Sequence, residues 1–288
     1  MLKQRIITAV VLAPLAISAI FYLPLANFAA LIMAIMAIGA WEWGPLMGFD
    51  KNNRRMAFVI ATIALISLLW LKLPIETLWK NHTTLEQGAI YVLWLAVAWW
   101  LLSATLTFLY PRYSKFWSSH RSVRGVFGWL TLVPTWLAFM VIRSNEYQTD
   151  PYHGAQLIMF LFLMVWSADI GAYFVGKAFG KNKLMPNVSP GKTLEGFLGG
   201  VIFACLLIAL VAYQLAWSSE QVITVLLVTM LISTVSVLGD LTESMFKRQA
   251  GVKDSGTILP GHGGILDRID SLTATAPVFA LCYVLFGW

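Results

Sequence analysis

Nine apolar runs alternate with short polar segments along the chain, at about 6–23, 26–41, 56–73, 89–109, 125–142, 155–176, 196–217, 221–241 and 271–288. Each is close to the roughly 20 residues that a helix needs to cross a ~30 Å hydrocarbon core, so each is read as a membrane-spanning helix. Residues 6–41 are almost continuously apolar, and as one helix they would extend about 54 Å, too far for a single crossing. A turn over Leu23, Pro24, Leu25, Ala26 and Asn27 is expected to divide them. The run behind Lys3 and Arg5 also has the pattern of a signal peptide, but with eight further runs after it a retained signal-anchor is the reading taken.

Composition agrees with this pattern and excludes a soluble domain. The chain is 59% hydrophobic and 12% charged, with a mean hydropathy of +0.74. In hydrocarbon every backbone N–H and C=O must be satisfied internally, and runs of this length do so as helices. The fold class is therefore an all-α polytopic membrane protein of about nine transmembrane helices. Five spans fall in 1–150 and four in 151–288, the latter with polar loops at 177–195 and 242–270. Alternation of nine spans puts seventeen of the 20 lysines and arginines on the side of the N-terminus, leaving only Lys72, Lys80 and Arg143 on the other. Basic residues collect in cytoplasmic loops, so the N-terminus is expected inside and the C-terminus on the outer face. Cys205 and Cys282 both sit within apolar runs and read as small buried hydrophobes without a disulfide or metal role.

The acids divide unevenly. Glu42, Asp50, Glu76, Glu86, Glu146, Asp150 and Glu220 lie in or beside loops and are expected to be solvated. The other seven, Asp169, Glu195, Asp240, Glu243, Asp254, Asp267 and Asp270, all fall near the cytoplasmic side of the last four spans. Convergence on one face is what a single site would produce. Asp169 lies about two turns inside the sixth span, where a carboxylate is expensive unless it faces the bundle interior or water. Asp240 ends the eighth run, and an acid at a helix C-terminus opposes the macrodipole unless a cation offsets it. Asp267 and Asp270 are spaced i, i+3 and share one face of a helix start.

Two polar stretches carry the remaining chemistry. Ser189, Pro190, Gly191, Lys192, Thr193, Leu194, Glu195 and Gly196 precede an apolar run and read as a turn feeding a helix N-terminus, which favours an anion. The spacing is not that of a Walker A loop. Helix capping explains the stretch as well as a triphosphate cradle through Lys192 and Thr193 does. The second stretch, 244–270, combines Ser244, Lys247, Arg248, Lys253, Asp254, His262, Gly263, Gly264, Asp267, Arg268 and Asp270. Acids that hold a hard cation, bases that hold phosphates and glycines that admit close backbone approach make up a phosphoryl-transfer site. Asp240, Asp267 and Asp270 are the expected metal ligands, and oxygen donors beside phosphate-binding bases select magnesium over zinc. His262 has no His or Cys nearby to complete a zinc site.

The second stretch resembles the signature of the phosphatidate cytidylyltransferases, or CDP-diacylglycerol synthases, at Ser244, Lys247, Arg248, Lys253, Asp254, the Pro260-Gly261-His262-Gly263-Gly264 run, Asp267, Arg268 and Asp270. Asp169 and 189–196 are similar to further motifs of that family, with Gly191 standing where a basic residue is usual. The resemblance implies transfer of CMP from CTP to phosphatidate, with magnesium required and a potassium ion beside it. It assigns catalytic roles to Asp240, Asp267, Lys247, Arg248, Lys253, Asp254, His262 and Arg268. Substrate contacts fall to Asp169, Ser189, Lys192, Thr193, Glu195, Ser244, Gly263 and Gly264. It also implies a bacterial inner membrane location with the site facing the cytoplasm. Membrane lipid is a partner, nucleic acid is not, and a homodimer is left open. A CTP-dependent lipid-alcohol kinase and a transporter remain as alternatives; the first would yield a phosphorylated lipid, and the second needs neither the glycine loop nor the basic cluster.

Overall fold

The computed structural model describes residues 2–80, 84–258 and 263–287, with side chains from residue 10 onward. The chain is a helical bundle. In order it runs α1 (Leu2–Tyr22), α2 (Leu25–Leu46), α3 (Asn52–Lys72), the two-stranded β1 (Trp79–Lys80) and β2 (Thr84–Leu85), α4 (Gln87–Phe108) and the short α5 (Ser114–Ser118). It continues with α6 (Arg121–Ser144), α7 (His153–Phe179), the hairpin β3 (Lys183–Met185) and β4 (Ser189–Thr193), α8 (Leu194–Gln214), α9 (Ser219–Ala250) and α10 (Leu266–Phe286).

Among the described residues eight helices, α2 to α4 and α6 to α10, are long and apolar enough to cross a membrane; the described side chains of α1 begin at Val10, and that stretch is shorter. The expected break after residue 23 is present, because Pro24 stands at the N-cap of α2 and starts a new helix. At that end of the bundle the fully buried guanidinium of Arg143 donates to the carbonyls of Ile20 at 2.9 Å and Pro151 at 2.8 Å. It thereby ties the end of α1 to the turn between α6 and α7. Buried indole N–H groups join other helices: Trp136 donates to Ala29 O at 3.0 Å, Trp99 to Thr131 Oγ1 at 3.1 Å and Trp43 to Arg124 O at 2.9 Å. Where apolar surface alone does not distinguish helix from lipid, such directional contacts help to fix which faces meet. Both cysteines are free, and Cys282 is buried while Cys205 is half-buried.

Three features differ from the sequence expectation. Helix α9 runs to Ala250 and ends on Gly251 in the left-handed region at φ 72°, so Asp240 lies well inside it and does not oppose its dipole. Ser244, Lys247 and Arg248 are accordingly helical, and the connecting loop begins only at Gly251. Residues 189–193 form strand β4, paired with β3, where a turn was expected. The third is Glu42, expected in solvent but only 2% exposed near the end of α2.

Candidate active site

The ends of α2, α4, α7 and α9 meet the starts of α6, α8 and α10 at one end of the bundle, and the predicted site lies there. Two ion pairs anchor it. Lys192, on β4, places its ammonium 2.8 Å from Asp240 Oδ2 on α9. Lys247, on α9, places its own 2.6 Å from Asp267 Oδ1 on α10 and 3.5 Å from Glu243 Oε1 one turn back.

Each carboxylate is held from a second side. Asp240 Oδ1 accepts from the Ser244 hydroxyl at 3.2 Å, an i, i+4 contact along α9. Asp267 Oδ2 accepts from Ser255 N and Ser255 Oγ, both at 3.0 Å, and from Gly264 N at 2.8 Å. The i, i+3 placement of Asp267 and Asp270 on α10 is as expected, and Asp270 lies within electrostatic reach of Asp240, Glu243 and Lys192. This proximity requires α9 and α10 to touch backbone to backbone. A Cβ at Gly239 would lie 2.7 Å from Asp270 O, so only glycine fits there without displacing α10.

Asp169, Lys192 and Thr193 line a cavity of about 370 Å³ between α7, the hairpin, α8 and α9, together with Tyr173 and Lys177. Asp169 is exposed to this cavity although it sits within the span α7, as an acid at that depth requires. Thr193 also has the capping role that the sequence left open: it is the N-cap of α8 and accepts from Gly196 N at 3.1 Å. Helix α4 supports α9 from behind, where Ser103 donates to Thr242 Oγ1 at 2.9 Å in a buried contact.

Other predicted residues are placed differently. Glu195 accepts from Lys181 N, Asn182 N and Asn182 Nδ2, which fastens the base of the hairpin. Arg248 donates from Nε to Val188 O at 3.1 Å and supports the hairpin tip. Ser189 is half-buried in β4, while Lys253, Asp254 and Arg268 are exposed at the rim. Gly263 holds φ at 80° beside Asp254 and Asp267. His262 lies outside the described residues.

The whole chain also matches known proteins. Residues 3–286 fit the profile described as the Cytidylyltransferase family. The chain belongs to that family. Proteins named phosphatidate cytidylyltransferase from Pseudomonas aeruginosa and Haemophilus influenzae are 44% and 40% identical to it, over 100% and 98% of this chain and 99% of each relative. One of the same name from Bacillus subtilis is 35% identical over 99% of both chains. This cytidylyltransferase thus shares its first half with its relatives as well as the signature stretch.

Among the described residues no three His, Cys, Asp or Glu side chains stand as a ready metal-holding group. Asp240 and Asp270 are neighbours, whereas Asp267 is turned toward Lys247 and the loop. The donor chemistry of the cytidylyltransferase nevertheless fits a hard divalent cation. Among the described residues Lys192 and Lys247 pair with Asp240, Glu243 and Asp267, and the buried Glu243 carboxylate also lies beside that of Asp270. Such a surplus of buried negative charge is costly without a counter-ion.

Glu42 and Ser255 were missed by sequence reasoning. Glu42 accepts from Leu266 N at 2.7 Å, Ile265 N at 3.1 Å and Ser255 Oγ at 3.3 Å. Its signal was available: an acid at the very end of an apolar run, between Trp41 and Trp43, is a candidate site residue in a membrane helix.

Proposed function

We propose that this integral membrane protein transfers CMP from CTP to phosphatidate, releasing pyrophosphate and leaving CDP-diacylglycerol in the bilayer. A phosphate oxygen of phosphatidate attacks the α-phosphorus of CTP. The new P–O bond forms as the bond to the β-phosphate oxygen breaks, and the electron pair leaves with pyrophosphate. The nucleophile is already ionised near neutral pH, so no strong general base is needed. The barrier is repulsion between two anions, and positioning with charge neutralisation lowers it.

The observation that carries this reading is the 370 Å³ cavity lined by Asp169, Lys177, Lys192 and Thr193, whose Lys192 is paired with Asp240 on α9, the helix that also holds the Lys247–Asp267 pair. Lys192 and Thr193 would contact the triphosphate, with Lys177 on the cavity wall. Lys247 and Arg268 neutralise phosphate charge from α9 and α10. Asp240 and Asp270 would hold magnesium, with potassium as a second cation; bound there, the ions would supply charge neutralisation and a template for in-line attack. The bias of basic residues toward this end supports a cytoplasmic site in a bacterial inner membrane, where CTP is available and phosphatidate reaches the site from the bilayer.

The test is a mixed-micelle assay of the purified protein with labelled CTP and phosphatidate, run with magnesium and again with chelator. Label in a CDP-lipid, lost with chelator, is expected. Folded protein that produces no labelled lipid, or that phosphorylates a lipid alcohol instead, would overturn the reading.

A further inference from the structure

Helix α10 begins without a cap of its own. Ile265 stands at its N-cap and offers no side-chain acceptor, although the first N–H groups of a helix need one. Glu42 supplies it from the other half of the chain: one carboxylate oxygen accepts from Ile265 N and the other from Leu266 N. A carboxylate at this position is also favoured by the helix dipole. The ion pairs among the described residues are made by other acids, so these N–H groups and the Ser255 hydroxyl are what hold the buried Glu42 charge.

The same carboxylate bears on Asp267 through one atom. Ser255 Oγ lies 3.0 Å from Asp267 Oδ2 and 3.3 Å from Glu42 Oε2, so its single proton is shared between the two carboxylates. Glu42 and Asp267 therefore grip the loop from opposite sides, at Ser255, Gly264, Ile265 and Leu266. The close approach needs small residues. A Cβ at Gly264 would stand 2.6 Å from Glu42 Oε2, and one at Gly256 would collide with the same carboxylate.

We propose that Glu42 is a positioning residue for the transfer reaction: by capping α10 from α2 and sharing Ser255, it fixes the direction in which Asp267 faces Lys247 and the phosphate site. The inference rests on the reading of Asp267 as a site residue. Glu42 itself touches no substrate. Its removal lets the start of α10 and the Ser255 turn relax, and misplacement of a reacting group by about 1 Å can cost on the order of a hundredfold in rate.

The experiment compares purified full-length Glu42→Ala, Glu42→Gln, Ser255→Ala and Asp267→Ala. Amide hydrogen exchange across 255–266 is measured without metal, and kcat and KM for CTP are measured with magnesium. Glu42→Ala is expected to speed exchange across 264–266 by about tenfold or more, as loss of a buried acceptor implies. It is also expected to lower kcat at least about tenfold with little change in KM. Glu42→Gln keeps one acceptor oxygen and should fall between wild type and Glu42→Ala in both readouts. Ser255→Ala should lower kcat severalfold while the helical circular dichroism is unchanged. Wild-type exchange and kcat in Glu42→Ala overturn the proposal. Should that variant not fold, wild-type values in both Glu42→Gln and Ser255→Ala overturn it. An inactive Asp267→Ala beside a fully active Glu42→Ala would defeat this inference alone, whereas an active Asp267→Ala would defeat the site reading beneath it.

Discussion

The Lys192 ammonium lies 2.8 Å from the Asp240 carboxylate and joins the β3–β4 hairpin to helix α9. Both side chains are partly exposed, at 26% and 36%, so the pair contributes little to stability. Replacing Lys192 by Met should leave the melting temperature nearly unchanged while kcat/KM for CTP falls by about 10²-fold, the scale expected for losing a charge that stabilises a transferring phosphoryl group. Parallel thermal melts and initial rates check this; a large loss of stability with kcat/KM intact would show the pair to be structural.

Asp240 and Asp267 should separate in stability although both variants lose turnover. Asp240→Asn removes a partly exposed acceptor whose partners are Lys192 and Ser244. Asp267→Asn also disturbs three loop hydrogen bonds, from Ser255 N, Ser255 Oγ and Gly264 N, at a cost of about 1–3 kcal/mol. Denaturation of the two detergent-solubilised variants, followed beside the CDP-lipid assay, should show a lowered midpoint for Asp267→Asn only.

Gly239→Ala tests the closeness of α9 and α10. Its methyl group would press on Asp270 O and on Ala274 Cβ, at 2.7 and 3.0 Å. Overpacking of this kind costs about 1–3 kcal/mol, and the shift of α10 relative to Asp240 should lower kcat by at least about tenfold. Full activity with an unchanged melting point would show that the two helices move apart at no cost.

Orientation is measurable with single cysteines in a background where Cys205 and Cys282 are replaced by Ala. Lys253→Cys lies in the exposed loop at the site end, and Glu76→Cys is exposed at the opposite end. In intact cells an impermeant maleimide should label position 76 and leave position 253 unlabelled until the membrane is opened. The reverse pattern would place the site on the outer face.

Much of this protein was determined by the sequence alone. Helices that cross hydrocarbon must be long, apolar and internally hydrogen-bonded, so the approximate limits of eight of the nine expected spans and the break near Pro24 could be read from hydropathy, and a dense signature of charges and glycines at 244–270 pointed to the family. The i, i+3 relation of Asp267 and Asp270 was legible for the same reason, since it depends only on local periodicity. Tertiary structure decided the rest. Polar residues do not reveal where a helix stops once it leaves the membrane, so α9 continued through Lys247 and Arg248. Nor does local sequence contain the partners of Glu42, which lie on Ser255, Ile265 and Leu266 in the other half of the chain. Which carboxylate faces which lysine depends on how α2, α9 and α10 pack, and that packing is set by contacts between residues far apart in the chain.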